Sequence, residues 1–216
     1  MVSNVVITLL RHGRTLDNEA SRYSGWIDSQ LSKTGINEIK AMTKYYQKEN
    51  TFSADINRIY TSDLKRTIQT AQLLFPGNFS IKQDKQLREM HFGDFEGKTY
   101  DELKENPHYQ TWLNHLFTYQ LPNGESFNQF TNRIDKGLAQ IKSEILKEEL
   151  SHVVLVVHGG VIRYLLTKLT NHSHSFFEWE VPFSRGFQLT STQTEFKEEN
   201  PCMSLRVVPS MENGIL

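Results

Sequence analysis

Short, nearly unbroken apolar runs alternate along the chain with stretches in which apolar residues return every third or fourth position. Residues 5–10 form the first run and read as a buried strand. Ile36, Ile39, Ala41, Met42 and Tyr46 then step at helical spacing, which predicts a helix starting at Ser32 or Thr34. A second strand is expected over residues 55–60. Ser62 or Asp63 should cap a helix carrying Leu64, Ile68, Ala71 and Leu74, with Pro76-Gly77 as its stop. Residues 79–82 suggest a short third strand. The middle is less regular: residues 100–118 read as one or two short helices interrupted at Asn106-Pro107, and Pro122-Asn123-Gly124 as a turn. From a cap at Ser126, Phe127, Phe130, Ile134, Leu138, Ile141 and Ile145 mark one face of a long helix. Residues 153–157 are the most apolar strand, and a helix over 161–169 should follow. Residues 186–192 and 203–208 look like late strands joined by a polar hairpin at the sheet edge.

Strands and helices in alternation, with strands apolar on both faces, predict an α/β three-layer sandwich around a mainly parallel sheet. The chain of 216 residues shows no repeat or linker, so one domain over 1–216 is expected. Charge excludes some partners. Lys and Arg total 24 against 25 Asp and Glu, which leaves no net basic field for nucleic acid or a membrane surface. Cys202 is the only cysteine, so no internal disulfide can form, and it reads as a half-buried strand residue. The first apolar run is too short for a signal peptide or a membrane span, and a cytoplasmic location is expected.

Two strand ends carry the chemistry. Residues 5–10 run into Arg11-His12-Gly13, and residues 153–157 run into His158-Gly159-Gly160. Ligands of open α/β sheets bind beyond the carboxyl ends of the strands. A metal site is one reading of paired histidines, but flanking arginines repel cations and no clustered carboxylate pattern occurs. An anion site fits better: guanidinium forks match phosphate oxygens, and glycine lets backbone N–H groups approach closely. The segment after the second strand adds Arg66, and Leu87-Arg88-Glu89 after the third adds a carboxylate, Glu89.

This set resembles the histidine phosphatase superfamily, also called the phosphoglycerate mutase-like family. The similarity covers most of the chain in order: Arg11-His12-Gly13, Asn18, Ser24-Gly25-Trp26, Ser62 with Arg66-Thr67 and Thr70-Ala71, Glu89 with Phe92-Gly93 and Glu96-Gly97, Asn123-Gly124-Glu125-Ser126, and His158-Gly159-Gly160. It implies a small helical lid over the site, at residues 94–126. It also implies that His12 attacks phosphorus to form a phosphohistidine, while Arg11, Arg66 and His158 clamp the phosphoryl oxygens. Asn18, Ser24, Gly25 and the Gly159 backbone would line the substrate cradle. Glu89 would protonate the leaving alkoxide and then activate water, with Glu96, Glu102 and Glu125 as competing carboxylates. No metal or other cofactor is implied, and the partner is a small phosphate ester. His91 reads as lining or supporting the site. Arg14 and Arg163 read as ion-paired supports, and His172 and His174 as surface residues.

The family holds both mutases and phosphatases. From Glu105 to Asn132 the chain has no lysine or arginine, where family mutases keep cations for a second anionic group. Gly160 also stands where mutases typically have asparagine. Hydrolysis is therefore the expected outcome; mutase transfer, sugar bisphosphatase or α-ribazole phosphatase activity, and a non-catalytic phospho-ligand module are the alternatives. Trp112 and the phenylalanines of the cover either pack the lid or accept an apolar or planar leaving group. An edge strand near the end would permit a homodimer as readily as a monomer.

Overall fold

The computed structural model describes residues 4–52, 56–77, 79–202 and 204–209. Six strands form one sheet: β1 (Asn4–Arg11), β2 (Arg58–Thr61), β3 (Ile81–Gln83), β4 (His152–Val157), β5 (Gly186–Thr192) and β6 (Ser204–Val208), in the order β3-β2-β4-β1-β5-β6. The first four are mutually parallel, whereas β5 pairs antiparallel with β1 and β6 antiparallel with β5. Among the described residues the α-helices are α1 (Leu16–Glu19), α2 (Lys33–Lys48), α3 (Lys65–Leu74), α4 (Tyr100–Leu103), α5 (Pro107–Asn114), α6 (Phe127–Lys147), α7 (Gly159–Leu169) and α8 (Gln193–Lys197), with short 3-10 turns at Lys85–Leu87 and Gly93–Phe95.

Alternation along the strands makes the three layers. Leu10, Ile59, Val154 and Val156 point into one cluster with Ile39 and Tyr46 of α2 and Ala71 and Leu74 of α3. Leu9, Tyr60, Val153, Leu155 and Val157 point into the other, with α6, α7 and Leu103, Tyr109, Trp112 and Leu121 from the segment between β3 and α6. Such two-sided burial requires strands that are apolar throughout, and β4 is buried at every position.

Local chemistry sets the helix starts. The Ser32 side chain accepts the Gly35 amide, and Ser126 forms a capping box with Gln129. Asn106 caps α5 with Pro107 in its first turn, so the predicted interruption there is a helix start. The cap predicted for α3 is not found. Leu64 holds that position without a side-chain bond, because Ser62 faces His158 and Asp63 forms a bidentate pair with Arg88. Helix α7 begins at Gly159 rather than 161, which puts both glycines in its first turn. The late strands are not a hairpin, since α8 lies between them, and β5 is interior with β6 at the edge. Cys202 is half-buried just ahead of β6 and donates its backbone amide to Leu169. Asp55, Met203 and the tail after Pro209 lie outside the described residues. Among those described, no helix is long and apolar enough to cross a membrane.

Candidate active site

The carboxyl ends of β1, β2 and β4 converge on one cluster. His12 follows β1 and is 5 % exposed; His158 follows β4 and is fully buried. Their rings meet edge to face with centroids 5.2 Å apart. His12 Nδ1 lies 2.7 Å from the Gly13 carbonyl. A carbonyl only accepts, so Nδ1 carries the proton and Nε2 presents a lone pair. Burial, and then the charges of Arg66 and Arg11, hold His12 well below the usual histidine range. The imidazole is therefore neutral, the form a nucleophile needs.

His158 takes the opposite tautomer. Arg66 Nε donates to its Nδ1 at 3.3 Å, which leaves Nε2–H to donate to Ser62 Oγ at 2.8 Å. Thr67 closes that chain, with its hydroxyl 2.9 Å from Ser62 Oγ. Burial, Arg66 and His12 also hold His158 well below the histidine range.

Arg66 is 1 % exposed, a guanidinium buried in the first turn of α3. It also donates to the Ile27 carbonyl at 2.8 Å and the Gly25 carbonyl at 2.6 Å. Three of its five N–H groups are thus spoken for, and two are left. Arg11 donates to the Val181 carbonyl at 2.6 Å and lies 3.8 Å over the Phe183 ring, and its buried Nε has no hydrogen-bond partner. Burial pushes both arginines down to about 10, partly countered by Glu89.

Glu89 completes the cluster. Its two oxygens accept the Met90 amide at 2.9 Å and the Gly160 amide at 3.0 Å. The competing carboxylates are engaged elsewhere. Glu96 accepts three backbone amides, from Trp26, Ile27 and Phe92. Glu102 caps α4 and pairs with Arg22, and Glu125 pairs bidentate with Arg133.

Four further positions take different places. Asn18 Oδ1 accepts the Thr15 amide in the α1 capping box. Ser24 Oγ is buried without a partner. Gly25 lies at a φ of +44° and offers its carbonyl to Arg66, so it positions a cation rather than opening the cradle itself. Gly159 packs beside the Arg11 guanidinium, where an added Cβ would sit 3.4 Å from Cζ. Arg14 pairs with Glu38 as expected. Arg163 instead donates to the Trp179 carbonyl and lines a cavity next to Glu89. His91 stacks on Trp26 at 4.6 Å, and His172 and His174 are exposed.

Two parts of the site escaped the sequence reading. The turn before β5 holds the end of β1: Ser184 donates its amide to the Arg11 carbonyl, and Phe183 faces His12 with centroids 5.8 Å apart. Arg133, on α6, donates to the carbonyls of Gln86, Arg88 and Glu89 while holding Glu125, which uses all five of its N–H groups.

The profile of the histidine phosphatase superfamily (branch 1) matches residues 7–199. The chain belongs to the histidine phosphatase superfamily. Within the superfamily it is 33 % identical over 172 residues to the metal-independent phosphoserine phosphatase of Arabidopsis thaliana, an alignment covering 77 % of this chain and 69 % of that one. It is 28 % identical over 165 residues to the adenosylcobalamin/alpha-ribazole phosphatase of Salmonella typhimurium, covering 74 % and 77 %. The fold agrees: a putative alpha-ribazole-5'-P phosphatase from Escherichia coli superposes with a TM-score of 0.81 at 22 % identity, covering 98 % and 99 %.

Proposed function

We propose that the chain hydrolyses phosphate monoesters of small molecules through a phosphohistidine on His12 and needs no metal ion. One observation carries the reading: His12 is neutral, its Nδ1–H is tied to Gly13, and its Nε2 stands beside two buried guanidinium groups. Nε2 attacks phosphorus as the P–O bond to the leaving group breaks. The buried guanidinium groups of Arg11 and Arg66 offset the charge on the phosphoryl oxygens, with His158 fixed edge-on to His12. The first-turn amide of Gly159 adds a donor at the positive end of the α7 dipole. Glu89 gives its proton to the departing alkoxide, then takes one from the water that cleaves the P–N bond and frees phosphate.

The arginines supply the positive charge that a metal supplies elsewhere, and among the described residues no group of three or more His, Cys, Asp or Glu is placed to hold a metal ion. Residues 94–126 act as the lid of one catalytic unit. Phosphoserine and α-ribazole phosphate, the substrates in the names of two relatives, are the first metabolites to assay.

The test is hydrolysis of p-nitrophenyl phosphate in EDTA by the wild type and by His12→Ala. We expect full activity of the wild type in chelator, and loss of both turnover and an acid-labile phosphoryl label in the variant. Inhibition by EDTA would restore a metal mechanism, and inactivity on a broad ester panel would leave a phospho-ligand binding role.

A further inference from the structure

A cavity of about 330 Å³ opens beside Glu89 and Gly160, on the side where the leaving group of a phosphoryl ester must lie if Glu89 protonates it. Its size is within the range of small-molecule sites, about 300–1,000 Å³. Phe92, Trp112, Leu116, Phe127 and Phe176 wall it, brought from four separate segments of the chain. Glu89 and Arg163 are its only charged lining residues among those described.

Lid packing accounts for part of this aromatic set. Tyr109, Phe95, Leu103 and Leu121 are each 1 % exposed and hold the lid to the core. It does not account for Leu113, Phe117 and Phe177, which stay 42 %, 46 % and 51 % exposed. Leu113 and Phe177 line the cavity, and Phe117 meets Phe127 and Phe177 at centroid distances of 4.8 and 5.6 Å. Contiguous exposed apolar side chains mark binding surfaces more often than isolated ones do. An apolar chamber that continues into such a patch suits a ligand with an apolar body.

Resting on the phosphatase reading above, we infer that the substrate class is phosphate monoesters of apolar, uncharged alcohols, whose carbon skeleton fills this chamber. A sugar acid or an amino acid would place a carboxylate, an ammonium or hydroxyls against phenylalanine rings, and the polar groups among the described lining residues are few: Arg163 for the carboxylate, Glu89 for the ammonium, and the Tyr23 hydroxyl and Trp112 indole N–H for hydroxyls. An alkyl or aryl skeleton loses no hydrogen bonds on entering.

The experiment is kcat/KM for n-alkyl phosphates from ethyl to octyl, with phenyl phosphate, phosphoserine and 3-phosphoglycerate beside them. Primary alcohols differ little as leaving groups, so the series reports burial rather than bond breaking. Each buried methylene contributes about 0.8 kcal/mol, or about fourfold in kcat/KM. We expect a rise of about that size per methylene until the chamber is full, and a lower octyl-to-ethyl ratio in Leu113→Gln, a substitution at an exposed rim position that the fold tolerates. A flat series, or phosphoserine or 3-phosphoglycerate turned over faster than hexyl phosphate, overturns the inference. p-Nitrophenyl phosphate separates the two levels: if it is hydrolysed in a His12-dependent way while the alkyl series is flat, only the substrate class fails. If it is not hydrolysed, the phosphatase reading fails and takes the inference with it.

Discussion

Gly160→Ala offers a way to move the proposed acid while leaving the rest of the protein in place. A Cβ at that position would meet Glu89 Oε1 at 2.3 Å, and the next nearest atoms are also of Glu89, Cδ at 3.2 Å and Oε2 at 3.4 Å. Ordinary contact begins at 3.4 Å, so the carboxylate must shift by about 1.1 Å, the difference between 3.4 and 2.3 Å. The group that yields is the end of a flexible side chain, and alanine favours a helix over glycine by about 1 kcal/mol, so stability should stay within about 1 kcal/mol of wild type. A displacement of about 1 Å at a reacting group costs about 10²-fold, or about 2.7 kcal/mol of barrier. That loss should fall on esters whose alkoxide needs a proton. p-Nitrophenolate departs unaided, so its ester should lose only a few-fold. The assay is kcat/KM for phenyl and ethyl phosphate against p-nitrophenyl phosphate, with Glu89→Gln as the reference for complete loss of the acid. Equal losses on all three esters, or no loss on any, would refute the placement of Glu89 beside the leaving oxygen.

Acid should destabilise the fold through its buried histidines. Burial, followed by the Arg206 charge, takes His152 from 6.5 in the unfolded chain down to about 4. The unfolded state therefore binds the proton first, and stability is lost as pH falls below 6.5; His152 alone accounts for about 2 kcal/mol between about pH 7 and pH 5. His12 and His158 shift in the same direction. Urea midpoints at the two pH values should fall less steeply for His152→Gln than for wild type, and an identical slope would reject the assignment. Arg133→Met leaves Glu125 buried without its partner and frees the backbone under Glu89; it should cost about 3 kcal/mol and lower kcat more than it raises KM. A purely structural Arg133 would lower Tm without moving kcat.

How far the sequence carried the fold depends on where the determinants lie. Caps at Ser32 and Ser126 act within three residues, so both helix starts were legible from local pattern. Ser62 looks like a cap by the same pattern, yet its hydroxyl is taken by His158, 96 positions away. The cation and histidine cluster was legible because each member ends or closely follows a strand. Arg133 carried no such mark, being one polar residue on an amphipathic helix, and its role exists only once α6 packs over residues 86–89. Phe183 and Ser184 were hidden because β5 enters beside β1 in the opposite direction, which an apolar run cannot announce.

The position of β1 between β4 and β5 also governs the order of assembly. Its partners arrive late: Thr8 bonds His152, 144 positions on, and Gln188, 180 positions on. At about 5–20 residues per second, a nascent β1 waits roughly ten seconds or more for either neighbour, with its apolar faces uncovered. The proposed nucleophile at its end is synthesised before the strands that align it. Each newly made chain therefore passes through a long interval in which chaperone capture and aggregation compete with closure of the sheet, and catalytic competence appears only when the final crossover is in place.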